Sequence, residues 1–235
     1  MKNQSFSRTL LSVTIILFST IALLLFAHGK TLGDTAPWPI KEHRGAYTLV
    51  AMPGKDGSSV DVYVNADFHS PKSLQKYAET LKKQLSNLAT SSQENILVMI
   101  TFSHPMSVKD ARALTRACNV DVSEFLVVGH EDGKPENRGW EIHLDPLDAM
   151  TEEEIMAPEP MGPNMGDIIF SGVMVLKGVV AIGEGLKCLD KSPDVYFVDT
   201  MALEASNLLE DQYPDQVSGK ELNVTLESPF WSLDW

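Results

Sequence analysis

The sequence predicts an α+β fold behind a single membrane-spanning helix. Three observations carry this: an uncharged apolar run near the N-terminus, two strand–helix–strand runs of similar length, and a globular composition. The chain has 235 residues, 43% of them apolar and 22% charged, the balance of a folded chain rather than a disordered one. Its 19 basic and 32 acidic side chains give a net charge of −13. Phosphate would be repelled, so no nucleic-acid partner is expected. Two cysteines exclude a disulfide-rich scaffold and a zinc site of four cysteines.

Leu10 to Ala27 is a run of 18 residues without a charge. As a helix it would extend about 27 Å, close to the roughly 30 Å of a hydrocarbon core. Lys2 and Arg8 precede it and residues 1–30 hold no acid, so the N-terminus is expected in the cytoplasm and the remainder across the membrane. The run is apolar on all sides, unlike a core helix with one apolar face. Residues 1–29 therefore read as a signal anchor. The alternative is a signal peptide cut near Gly29, since Ala27-His28-Gly29 supplies small residues; the length of the run favours the anchor. All the acid lies beyond residue 30, as expected of a soluble, self-repelling surface.

Residues 30–45 read as a linker, with Pro37 and Pro39 flanking Trp38 and opposing regular pairing. Ala46 to Met52 and Val60 to Ala66 are rich in β-branched and aromatic residues and enclose a turn-rich PGKDGSS, which predicts a hairpin. Ser70-Pro71 opens a helix whose Leu74, Tyr77, Ala78, Leu81, Leu85 and Leu88 form one stripe. Ile96 to Phe102 is a continuous apolar run, the mark of a central strand buried on both faces. Ser107 and Asp110 then start a helix that stops at Asn119, and Val122 to Gly129 is a strand.

The logic repeats further on. Ile168 to Leu176 predicts a strand, Val179 to Leu189 a helix with Val179, Ile182, Leu186 and Leu189 inward, and Val195 to Val198 a short strand. A doubled βαβ of this kind predicts a ferredoxin-like sandwich, with an additional hairpin and helix before it. Residues 130–167 are an insertion. Trp140 to Leu144 alternates like a short strand, and the proline- and methionine-rich stretch beyond is expected to be a mostly irregular loop. The resulting division is anchor at 1–29, linker at 30–45, extracytoplasmic α+β domain at 46–200, and acidic C-terminal helix and tail at 201–235.

Chemistry-bearing patterns are sparse. No G-x-S-x-G, H-E-x-x-H, phosphate loop or G-x-G-x-x-G occurs. Gly183-Glu184-Gly185 falls inside the expected helix and so signals no nucleotide. No catalytic residue, metal ligand or cofactor is assigned. His104, His130 and His143, with Asp145, would make an enzyme site only if the fold gathered them. Met150, Met156, Met161 and Met165 share one acidic loop. Thioethers suit Cu(I), but they serve equally as packing or as partner-binding surface. Glu152, Glu153 and Glu154 lack the interleaved glycine of a calcium loop and read as a helix start after Thr151 or a solvated loop. Asn223-Val224-Thr225 matches a glycosylation acceptor.

Cys118 and Cys188 are expected to stay apart as buried thiols. Both fall near the C-termini of helices that run antiparallel, which sets them about 15 Å apart against the ~7 Å limit for a disulfide. A disulfide would contradict that arrangement. At the end of the chain, Phe230, Trp231 and Trp235 either dock on the domain or stay exposed to bind. Docking is favoured, since one buried aromatic contributes about 2–3 kcal/mol.

These readings converge on a membrane-anchored, extracytoplasmic binding or interaction module without catalysis. It would hold the membrane through its N-terminal helix and a protein partner through Met156, Met161, Met165, Trp231 and Trp235. Copper handling by the methionine loop and an enzyme with an unmotifed His/acid site are the alternatives.

Overall fold

The computed structural model describes residues 38–45, 47–66, 70–88, 95–160 and 166–227. The apolar run 10–27, His69, Met161, Met165, Phe230, Trp231 and Trp235 lie outside these residues. Among the described residues no helix is long and apolar enough to cross a membrane.

The fold is mixed α+β with two sheets. Strands β1 (Ile40–His43), β2 (Tyr47–Pro53) and β3 (Ser59–Ala66) come first, then helix α1 (Pro71–Leu88). The β2–β3 hairpin is antiparallel, with Tyr47 opposite Ala66. Alternation puts Leu49, Ala51, Val60, Val62 and Val64 inside, while Met52 and Tyr63 face outward. In α1, Ser70 caps the first turn by accepting from the Ser73 amide at 3.1 Å. The stripe Leu74, Tyr77, Ala78, Leu81 and Leu85 is buried.

The expected linker needs correction. Ile40–His43 pairs antiparallel with β2, because Pro39 ends where the strand begins and β1 lies at a sheet edge, where a missing N–H costs nothing. Trp38 packs against the first core, with Lys220 Nζ 5.7 Å from its ring centroid.

The second sheet begins with β4 (Asn95–Met106), followed by α2 (Val108–Ala117) and β5 (Val120–Glu131). Ser107 accepts from the Asp110 amide at 3.1 Å, and Asn119 ends the turn in the left-handed region at φ 53°. The insertion is more ordered than its composition suggests. It holds β6 (Lys134–His143), a 3-10 turn (Leu147–Ala149), α3 (Glu152–Ile155) and β7 (Glu159–Pro160). A capping box of Thr151 and Glu154 starts α3. Arg112 fixes the stretch to α2: its guanidinium donates to the Leu147 carbonyl at 2.8 and 3.2 Å and to the Met150 carbonyl.

The helix expected from Val179 to Leu189 is a strand for its first part. β8 runs from Asp167 to Ala181 and α4 only from Glu184 to Asp190. Val179 and Val180 are β-branched and prefer the pleated sheet; a spacing of three and four residues was not enough to make them helical. Gly183, at φ 95°, therefore sits at the strand–helix junction, not inside a helix. β9 (Val195–Asp199), α5 (Met201–Gln212), α6 (Pro214–Val217) and β10 (Glu221–Leu226) complete the chain.

One sheet has the order β1–β2–β3–β10, and the other β6–β5–β8–β4–β9, with β7 paired to β8. β10 lies within the stretch expected as an acidic tail; it pairs in parallel with β3, Glu221 opposite Ser59. β4 and β5 each run antiparallel to β8, which lies between them. The central strands of the six-stranded sheet, β5, β8 and β4, are buried on both faces. Met99, Leu126, Val128 and Val175 enter a core shared with the four-stranded sheet, α1 and α5. Ile100, Val127, Leu176 and Val180 enter a second core with α2, α4, Leu147 and Ile155.

Cys118 and Cys188 form a disulfide, with Cα atoms 5.3 Å apart, against the expectation of separate thiols. The reason is the short length of α4. Starting α4 at Glu184 rather than at Val179 shortens it by about 7 Å, so Cys188 lies one turn from its start, next to the end of α2. Gly185 permits the approach: a Cβ there would stand 3.0 Å from the Cys118 carbonyl oxygen and 2.5 Å from Val180 Cγ2.

Candidate functional site

β6 is an edge strand bonded to β5. Its alternation turns Trp140 and Ile142 to one face, and Leu144 continues the pattern just past the strand. These side chains are 53%, 51% and 76% exposed. They belong to the face that is elsewhere buried: Ile142 stands opposite Leu126, and Leu126 opposite Val175, both members of the first core. Among the described residues, the layer covering this face over β4 and β8 leaves Ile142 and Leu144 exposed. Exposed apolar rows of this kind mark interaction surfaces more often than chance.

The row runs into a cleft of about 480 Å³. Met99, Leu126 and Val175 form its floor, Trp140 and Ile142 one side, and Thr225 to Glu227 the other. Its charged groups are Glu124 and Lys177, paired at 3.5 Å, and Glu227. Among the described residues no histidine, cysteine or serine lines it. Such a cleft can hold aliphatic or aromatic side chains of an extended segment.

A second group of polar side chains lies between α1, β9 and α5. Tyr77 donates to Asp199 at 2.6 Å, and the Met201 amide donates to the same carboxylate at 2.8 Å. Tyr47 donates to Glu204 at 2.7 Å, and Gln84 donates to the other Glu204 oxygen. Burial pushes the Asp199 carboxyl up to about 6, partly opposed by these two hydrogen bonds. Burial and the neighbouring carboxylate raise the Tyr77 hydroxyl as well. Perturbed carboxyls often mark active sites. Here, however, Asp199 is 1% exposed and its partners are the first amide of α5 and a core tyrosine. It anchors the start of α5 to α1. The adjoining cleft of about 350 Å³ is lined by Thr200, Leu203 and Glu204 and not by Asp199.

His104, His130 and His143 have separate surroundings. His143 stacks on Phe125 with ring centroids 4.6 Å apart. His130 stands opposite Arg138, five residues along β5 from Phe125, or about 17 Å. His104 faces Asp194 at 3.6 Å, and Asp145 is exposed. Among the described residues no cluster of three His, Cys, Asp or Glu side chains is arranged to hold a metal. Met150 and Met156 are partly buried against the second core, while Met161, Met165, Trp231 and Trp235 lie outside the described residues.

Sequence reasoning placed β6 but not its exposed face. The signal was Trp140, Ile142 and Leu144 alternating on an edge strand, which becomes informative only once the neighbours are known. Comparison with protein-family models, with curated proteins and with solved structures finds no match to this chain.

Proposed function

We propose that this chain is a membrane-anchored, extracytoplasmic interaction module without catalytic activity, and that it holds apolar side chains of a protein partner on the β6 row. The observation that carries this reading is the uncovered row of Ile142 and Leu144 beside an apolar cleft. The uncharged run 10–27 supports the anchor, and the Cys118–Cys188 disulfide supports an oxidising compartment. We read strands β9–β4–β8–β5 with α2 and α4 as a ferredoxin-like unit, supported by their order and by the antiparallel pairing of β8 with both β4 and β5. Met156, Met161 and Met165 are secondary contact candidates; for Met156, its place against the second core supports packing.

The test is photo-crosslinking from position 144 of the full-length chain in cells, with position 55 in the exposed β2–β3 loop as control. The reading expects one discrete heteromeric product from 144 that is absent from 55 and lost with Ile142→Asp. Equal labelling from both positions, or none from 144, overturns it.

A further inference from the structure

Asn223, Val224 and Thr225 lie within β10, an edge strand of the four-stranded sheet. Asn-x-Thr, with x other than proline, is the acceptor pattern for an N-linked oligosaccharide. A strand turns residues two apart to the same side, and here that side is outward. Asn223 and Thr225 are exposed, while Leu222 and Val224 pack against the first core. Asn223 stands opposite Asp61, and Asp61 opposite Met52; Thr225 stands opposite Tyr63. Met52 and Tyr63 are 39% and 37% exposed, so the face around the triplet is open. The Asn223 carboxamide has a fixed place on it, since Nδ2 donates to Asp61 Oδ1 at 3.2 Å. That bond uses one of the two Nδ2 hydrogens. Asn3-Gln4-Ser5 has the same pattern, but it precedes the uncharged run 10–27 and falls on the other side of the membrane in the anchored reading.

We propose that Asn223 is the attachment site of an N-linked oligosaccharide. The proposal rests on the extracytoplasmic placement of the domain, which the Cys118–Cys188 disulfide supports. The donor is an oligosaccharide carried on a lipid pyrophosphate. Nδ2 bonds to the anomeric carbon of the first sugar, the bond from that carbon to the pyrophosphate oxygen breaks, and the lipid pyrophosphate leaves with the electron pair. One Nδ2 proton passes to a base of the transferring enzyme. The other N–H is kept, so the contact with Asp61 survives the modification. A sugar here also denies the open side of β10 to a stray strand.

The full-length chain expressed in cultured eukaryotic cells tests this. A mobility shift of one glycan is expected, removed by peptide N-glycosidase, with mass spectrometry then finding aspartate at position 223. Thr225→Ser should keep the shift, and Asn223→Gln and Thr225→Ala should each lose it. No shift in the wild-type chain, or a shift that survives Asn223→Gln, overturns the proposal. A control carries Asp56→Asn and Ser58→Thr on the Asn223→Gln background, which completes an acceptor triplet in the exposed β2–β3 loop. Modification of the control without modification of the wild-type chain overturns the site alone and leaves the extracytoplasmic placement standing. Modification of neither removes both.

Discussion

The Tyr77 hydroxyl donates a 2.6 Å hydrogen bond to Asp199 across 122 residues of chain. Both groups are buried, so the contact ties helix α1 to the junction of β9 and α5 inside the first core. Folding raises the Asp199 carboxyl to about 6, above the roughly 3.9 of an unfolded aspartate. The folded state then binds the proton more tightly than the unfolded state. Its stabilising contribution is complete below about pH 4 and is lost as pH rises through about 6. Two units correspond to about 3 kcal/mol. Urea unfolding of wild type and Asp199→Asn at pH 4.5 and 7 should show the variant gaining relative stability at pH 7. Equal differences at the two pH values would refute the assignment.

Glu131 behaves in the opposite sense. Lys134 Nζ and Asn137 Nδ2 each donate to its carboxylate at 2.5 Å, and the Gly166 amide at 2.9 Å. They hold the carboxyl down to about 2. Its contribution is present above the ordinary carboxylate range and is lost as pH falls from about 4.5 toward about 2. Glu131→Gln should flatten acid unfolding across that window, as followed by far-UV circular dichroism. A wild-type acid profile in the variant would contradict this.

Arg112 is expected to hold the insertion in place. Losing its charged donors to the Leu147 and Met150 carbonyls should cost about 2–3 kcal/mol in Arg112→Ala. Hydrogen exchange should rise across 147–156 while β4 keeps its protection. Arg112→Lys should recover little, since one ammonium cannot reproduce the guanidinium fork.

Reduction of Cys118–Cys188 should weaken the whole domain. The bond closes a loop of 70 residues, for which the chain-entropy estimate is about 4 kcal/mol. The double variant Cys118→Ser, Cys188→Ser should lower the denaturation midpoint by a corresponding amount, and the wild-type chain should migrate differently on reducing and non-reducing gels. Identical migration with an unchanged midpoint would exclude the bond.

Local signals were legible where a segment's own pattern decides its structure. The β2–β3 hairpin, the α1 stripe from Leu74 to Leu85, the apolar core of β4 and the Ser107 start of α2 all follow from neighbours within a few residues. The second half of β8 did not, because Val179, Ile182, Leu186 and Leu189 satisfy helical spacing while Val179 and Val180 favour a strand. That one ambiguity propagated: it lengthened α4 on paper, moved Gly183 inside a helix and set the cysteines apart. Asp199 was legible only as the acid two residues before a helix; its burial depends on Tyr77, far away in sequence. The β6 row was visible as alternation, but its exposure depends on how far the opposing layer extends.

The pairing of β10 with β3 has a consequence for the order of events during synthesis. β3 is made early and its partner is among the last described segments to emerge, 162 positions later by register. Until then the nascent chain carries β1, β2 and β3 as an unfinished ribbon with one open, apolar-backed edge, the kind of edge that recruits stray strands. Leu209, Val217 and Leu226 arrive with the same late segment, so the first core cannot close before that segment is made. A chain cut before residue 221 lacks the strand that seals its first sheet.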